Sequence, residues 1–222
     1  MIKSNVSVLA YVLAGGSGTR LWPLTQERAK PAVPFGGLYR IIDFVMTNLY
    51  NSGVHDVALI TQHNPKSLNR HVREGYSPVF GNKLEILYPT AALYEGTADA
   101  VYKNIDVLKR NEWDIVDVFG ADHIYRVNIS QMHDFHLAKD ADATIPVMPV
   151  DINIASQFGV VVVDNDSKII KFEEKPPVPT PMPQDESKCL VSMGNYCFKP
   201  KSLEEALERN PKDFGKDLIP QM

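Results

Sequence analysis

An α/β fold, with a Rossmann-like, mostly parallel sheet and helices on both faces, is predicted by three features of the chain. Apolar runs of strand length alternate with segments whose apolar residues recur at helical spacing, the pattern of repeated βαβ units. The first run, Val6–Leu13, is apolar almost throughout, as a central parallel strand covered on both faces must be. It leads into the side-chain-poor turn Gly15-Gly16-Ser17-Gly18, and a later run, Ile115–Phe119, ends in Gly120-Ala121-Asp122. Open α/β sheets bind ligands at such carboxyl ends.

The elements follow in order. Tyr39–Ser52 carries Ile41, Ile42, Val45, Met46 and Leu49 on one helical face and stops at Asn51-Ser52-Gly53. Val57–Ile60 reads as the second strand and Lys66–Glu74 as a short helix, with Leu84–Leu87 a strand in an excursion of the chain. Thr97 can cap a helix reaching Lys109. Ser130–Lys139 reads as helix and Ala143–Met148 as strand. Gly159–Val163, the turn Asp164-Asn165-Asp166 and Lys168–Glu174 predict a hairpin. Five prolines between Pro176 and Pro183 exclude helix and central strand, leaving an extended loop. Phe214–Met222 shows no recognisable finishing element.

The 222 residues suit one large domain, and 44% hydrophobic with 23% charged residues is ordinary for a globular chain. A net charge of −4 argues against a nucleic-acid surface but permits a local cationic pocket. No apolar run approaches the roughly 20 residues that cross a bilayer. Met1–Asn5 has no cleavage site, so no signal peptide and a cytoplasmic setting are expected. Cys189 and Cys197 then read as reduced thiols, and the glycosylation triplets at Asn5, Asn128 and Asn165 as chance.

Three glycines alone are equally an ordinary strand-to-helix turn. Gly15, Gly16 and Gly18, followed by Arg20, Lys30 and Pro31-Ala32-Val33-Pro34, favour a polyphosphate site instead: main-chain N–H groups can approach oxygens that fixed cations neutralise. A dinucleotide fingerprint fails because Leu21 stands where its third glycine belongs, and a Walker loop fails because Arg20 stands where its second glycine belongs. Asp122, just past a buried strand and near a triphosphate, suits Mg²⁺, a hard cation that takes oxygen ligands. His123 reads as its structural neighbour. His133 and His136 fall three apart on a helix with no accompanying carboxylate pattern of a metal site.

Ala14-Gly15-Gly16-x-Gly18-Thr19-Arg20 with Lys30-Pro31 resembles the signature of sugar-1-phosphate nucleotidyltransferases. Phe35-Gly36-Gly37-x-Tyr39-Arg40-Ile41-Ile42-Asp43-Phe44 narrows the resemblance to the ADP-glucose pyrophosphorylase (glucose-1-phosphate adenylyltransferase) family. Tyr94–Ala100, Gly120–Tyr125, Phe158-Gly159-Val160, Phe172–Pro176, Ser192–Tyr196 and Phe214–Pro220 extend it across nearly all of the chain. The resemblance implies transfer of the adenylyl group of ATP to α-D-glucose 1-phosphate, giving ADP-glucose and pyrophosphate for glycogen or starch synthesis. It implies Arg20, Lys30 and Asp122 as catalytic groups, Asp122 holding Mg²⁺, and Gly15, Gly16, Thr19, Gln62, Gly96 and Thr97 on the nucleotide. It assigns Lys175 to the sugar's phosphate, Glu174 to its hydroxyls, and Tyr94, Gly159 and Ser192 to the same subsite. By residue type alone these last three read as a packing aromatic, a hairpin glycine and a strand serine. A sugar phosphate is already an anion at neutral pH, so no general base is required. The same fold using UTP or dTTP, and a catalytically silent regulatory or sugar-nucleotide-binding subunit, are the alternatives.

Three departures qualify the resemblance. Tyr88–Tyr94 is shorter than the family's segment and lacks its Gln-Gln pair and Trp, removing one expected adenine contact. Glu27 stands where enteric-type members carry a lysine for a sugar-bisphosphate activator. The family's second metal-binding carboxylate and C-terminal left-handed β-helix lie beyond Met222. Residues 1–222 are therefore expected to be the nucleotidyltransferase domain truncated at its C-terminal end, weakly active, while the full-length form is expected to be a homotetramer.

Overall fold

The computed structural model describes residues 6–125 and 127–222. Its first half runs β1 (Val8–Ala14), the short hairpin β2 (Pro34–Phe35) and β3 (Tyr39–Arg40), α1 (Ile41–Asn51), β4 (Asp56–Thr61), α2 (Lys66–Phe80), β5 (Leu84–Leu87), α3 (Thr97–Tyr102), α4 (Ile105–Lys109) and β6 (Ile115–Gly120). The second half runs α5 (Ile129–Ala138), β7 (Ala143–Thr144), β8 (Val147–Asp151), α6 (Ile152–Ala155), β9 (Gly159–Val163), β10 (Ile169–Glu174), β11 (Lys188–Ser192), β12 (Asn195–Phe198) and α7 (Pro200–Leu207).

The central sheet has the order β5-β4-β1-β6-β12-β7. Its first four strands are parallel, and β12 lies antiparallel to both β6 and β7. Side chains of β1 explain its continuous hydrophobicity. Val8, Ala10 and Val12 pack on one face with Ile42, Met46, Leu49, Leu68 and Ile129 of α1, α2 and α5. Leu9 and Tyr11 pack on the other with Val101, Leu108 and Leu203 of α3, α4 and α7. Leu13 pairs with both Ile60 and Gly120, so β1, β4 and β6 end level and project their following loops from one edge.

A second, four-stranded antiparallel sheet, β10-β9-β11-β8, carries the predicted hairpin. Asp164 Oδ1 accepts from the N–H groups of Asp166 and Lys168 at 2.9 Å, closing its turn. The proline-rich loop is tied back where Glu173 accepts hydrogen bonds from the N–H and hydroxyl of Thr180.

Several boundaries differ from expectation for local physical reasons. The Leu84–Leu87 strand is no excursion: it pairs in parallel with β4 as the sheet edge. The Lys66 helix continues past Glu74 to Phe80. The helix predicted from Thr97 to Lys109 breaks at Asn104, whose side-chain amide donates to Ala100 O (2.8 Å) in competition with the helical ladder. Ala143–Met148 divides between the two sheets around Pro146, so β7 and β8 serve different layers. The tail does hold an element, a π-type turn over Phe214–Leu218 begun by Asp213, which accepts from the N–H groups of Gly215 and Lys216. Asn128 caps α5 by accepting from Gln131 N, and Asn5 lies outside the described residues. Among the described residues no helix is long and apolar enough to cross a membrane.

Candidate active site

The glycine loop owes its shape to Gly18, whose φ of +69° lies in the left-handed region. A Cβ there would also sit 2.9 Å from Thr25 Cγ2 and 3.1 Å from Lys30 Cβ. The Thr25 hydroxyl donates to Gly18 O at 2.8 Å, so the loop folds directly onto the segment that carries Lys30. Around Gly16 a Cβ would meet nothing within 4 Å, leaving that backbone open to a ligand. Thr19 and Arg20 lie exposed in the short 3₁₀ turn that follows.

Lys30 reaches across the sheet edge to the end of β6. Its Nζ lies 2.8 Å from Asp122 Oδ2, joining two residues the sequence reading had assigned separately to phosphate and metal. Burial pushes the Asp122 carboxyl upward, but the Lys30 hydrogen bond and the His123 and Lys30 charges outweigh it and hold the pKa below the usual carboxylate value. Asp122 Oδ1 lies 3.6 Å from His123 Nε2, too long for a hydrogen bond. The His123 ring instead packs against Gly120 and Gly194, where added Cβ atoms would come within 3.1 and 2.8 Å of its Cε1.

Gln62 and Tyr94 build the wall beside the loop. Gln62, just beyond β4, uses its amide like a strand residue: Oε1 accepts from Tyr94 N at 2.6 Å and Nε2 donates to Tyr94 O at 3.3 Å. The Tyr94 ring is buried among Tyr11, Ala98 and Val101, and its hydroxyl accepts from the Asn104 amide at 2.9 Å. Burying the apolar ring out of water favours this packing.

Gly96 and Thr97 are likewise engaged by the protein itself. Lys212 O accepts from the N–H groups of Ala98 (3.0 Å) and Asp99 (3.3 Å), satisfying the first turn of α3. The Thr97 hydroxyl donates to Asp213 Oδ2 and accepts from Phe214 N, each at 3.0 Å. The tail thus engages the Ala98 and Asp99 N–H groups and the Thr97 hydroxyl. Gly96 is required because the Lys212 carbonyl packs on its Cα, and a Cβ would lie 2.7 Å from Lys212 C. Gly96→Ala should force the tail off α3 and lower stability by about 2 kcal/mol, a typical overpacking penalty. The expected fall in Tm by thermal circular dichroism is about 4–8 °C; an unchanged Tm would contradict the close approach.

Glu174 and Lys175 leave the end of β10 together. The Glu174 carboxylate lies over two glycines, with Oε2 3.2 Å and 2.8 Å from where Cβ atoms of Gly159 and Gly215 would stand. Lys175 adopts φ +47°, an uncommon conformation for a side-chain-bearing residue, while its N–H donates to Phe158 O at 3.0 Å. This turn directs Nζ back to Glu174 Oε1, 2.8 Å away. Ser192 Oγ accepts from Gly194 N at 3.1 Å, holding the glycine against which His123 packs. Contacts thus run from Asp122 through His123 and Gly194 to Ser192, and from Glu174 through Gly215 and Asp213 to Thr97. Gly194 and Gly215 lie in the Ser192–Tyr196 and Phe214–Pro220 motifs without an assigned role, and the sequence gives no role for Thr25 or Asp213.

Two cation–carboxylate couples therefore stand at strand ends, Lys30–Asp122 beside the open glycine loop past β6 and Glu174–Lys175 past β10. The chain matches the nucleotidyl transferase family over residues 9–222. It belongs to that family. A glucose-1-phosphate adenylyltransferase of Thermodesulfovibrio yellowstonii is 45% identical over 226 residues, covering 97% of this chain and 55% of the relative. One from Thermus thermophilus is 43% identical, covering 100% of this chain and 57% of the relative. A glucose-1-phosphate adenylyltransferase 2 of Vibrio parahaemolyticus is 44% identical, covering 96% and 56%. The chain spans a little over half the length of these curated relatives.

In this member of the family the donor chemistry at Asp122 fits a hard divalent cation. The carboxylate is kept ionised, is partly open to solvent, and has only one oxygen committed to Lys30. A Mg²⁺ held by one protein carboxylate takes its other ligands from phosphate oxygens and water.

Proposed function

We propose that the chain transfers the adenylyl group of ATP to α-D-glucose 1-phosphate, forming ADP-glucose and pyrophosphate. The observation that carries this reading is the Lys30–Asp122 couple, fixed against the glycine loop at the central sheet's edge. The Gly15-Gly16 backbone and Arg20 bind the triphosphate, and Lys30 adds a cation whose position Asp122 sets. Mg²⁺ at Asp122 would supply further neutralisation of phosphate charge.

Lys175 orients the incoming sugar phosphate, whose anionic oxygen attacks the α-phosphorus as pyrophosphate leaves. To do so its ammonium must exchange Glu174 for the phosphate, freeing the carboxylate to accept from sugar hydroxyls. No side chain needs to remove a proton, so rate enhancement comes from alignment and charge stabilisation. A reaction drawing on ATP supports a cytoplasmic setting, and the family resemblance supports a tetrameric longer form.

Release of pyrophosphate from ATP, glucose 1-phosphate and Mg²⁺ by the purified chain tests the reading. ATP should exceed UTP and dTTP; a preference for either of the latter would overturn the assignment of the base. Lys175→Ala should raise KM for glucose 1-phosphate by about 10–100-fold, the value of a lost charge-assisted hydrogen bond. Its KM for ATP should stay nearly constant. Equal effects on both substrates would remove Lys175 from the sugar-phosphate subsite.

A further inference from the structure

Beneath the site, on the α5 side of the central sheet, lies a cluster that the proposed reaction does not use. Asp117 on β6 and Cys197 on β12 are direct cross-strand partners, and His133 of α5 covers them. All three side chains are fully buried. Their donor atoms lie within 4.8 Å of one another, and among the described residues this is the one group of three able to share a cation. His133 has no carboxylate partner in its own helical segment. The strand–helix crossover supplies one, with His133 Nε2 2.8 Å from Asp117 Oδ2.

Two observations set this cluster apart from an ordinary buried hydrogen bond. The Asp117 carboxyl has the Cys197 thiol as its further neighbour, while His133 Nδ1 and the neighbouring Asn195 Nδ2 have no hydrogen-bond partner among the described residues, although buried polar atoms are normally satisfied. The donors are also a thiol, an imidazole and one carboxylate. That set matches zinc-class cations, not Mg²⁺ or Ca²⁺, which take oxygen ligands. Tetrahedral zinc holds its ligand atoms about 3.2–3.8 Å apart, so these donors stand within about 1 Å of bonding separations.

We propose that Asp117, His133 and Cys197 form a structural site for a zinc-class divalent cation, separate from the cation at Asp122. Entry of the cation displaces the Cys197 thiol proton and the proton shared by Asp117 and His133, and both pass to solvent. Carboxylate, thiolate, neutral imidazole and dication then sum to zero charge, the arrangement a fully buried site favours. A water completes the four-coordinate sphere. The bound cation would join β6, β12 and α5, fixing the strand that presents Asp122 five residues further on.

The test does not involve turnover. The whole chain is unfolded with chelator, refolded, and titrated with Co²⁺ in excess Mg²⁺. One Co²⁺ per chain should bind and produce a thiolate-to-cobalt charge-transfer absorption that Zn²⁺ abolishes. Cys197→Ala should lose that absorption, while Cys189→Ala, altered in a separate buried cluster, should keep it. His133→Gln should weaken Co²⁺ binding at least 10-fold. A folded wild-type chain showing no charge-transfer band, or a band that survives Cys197→Ala, would overturn the proposal without relying on any variant's stability.

Discussion

Asp122→Asn is expected to lower the rate of pyrophosphate release by about 10²–10³-fold, while leaving the fold intact. The substitution keeps the side chain's shape but removes its charge. Lys30 loses the partner that fixes its ammonium 2.8 Å away, and a hard cation loses its carboxylate ligand. Removing one preorganised electrostatic group from a transition state raises the barrier by about 3–4 kcal/mol. Both side chains are partly exposed, so the pair's share in stability is small, about 0–1 kcal/mol. Circular-dichroism melting should therefore change by only about 1–3 °C. Single-turnover measurement at saturating ATP would separate chemistry from binding, and turnover equal to wild type would remove Asp122 from the reaction.

The parts legible in the sequence were those coded over short distances. Val8–Ala14, the glycines behind it and Lys30 lie close enough for spacing alone to suggest a phosphate site, and β1's burial on both faces made its run unmistakable. The Lys30–Asp122 couple spans 92 residues and needed the parallel register of β1 with β6 to appear. Gly96 and Thr97 stood in a matching motif, yet their partners come from the tail more than 100 residues later, which no local pattern reports. The packing of Tyr94 was not legible because a motif fixes the position of a residue but not which way its ring turns; the core on that side of β1 holds it. The break at Asn104 has the same origin, a side chain bonding to Ala100 O that propensity alone does not foresee. His133 was dismissed because its carboxylate lies on a strand, 16 residues before it, and its thiol partner on another strand.

In chelator, His133→Leu is expected to lower unfolding stability by about 3 kcal/mol, and Asp117→Val to act similarly. Each single change leaves the other polar group fully buried beside a new apolar surface, the situation in which breaking a buried pair costs about 3–5 kcal/mol. Burial already pushes the Asp117 carboxyl upward, so losing His133 cannot be offset by hydration. The double substitution Asp117→Val/His133→Leu removes both groups and replaces them with apolar atoms among Ile129, Met132 and Phe119, which share that side of the sheet. It should recover most of the loss, because a buried pair exchanged for packed hydrophobic residues is often neutral. Urea titrations of the four proteins give the cycle directly, with an expected coupling of about 5 kcal/mol and a Tm deficit in each single variant of about 6–12 °C. Additive losses would show that the two residues stabilise the sheet independently, and that their 2.8 Å contact is not what holds β6 to α5.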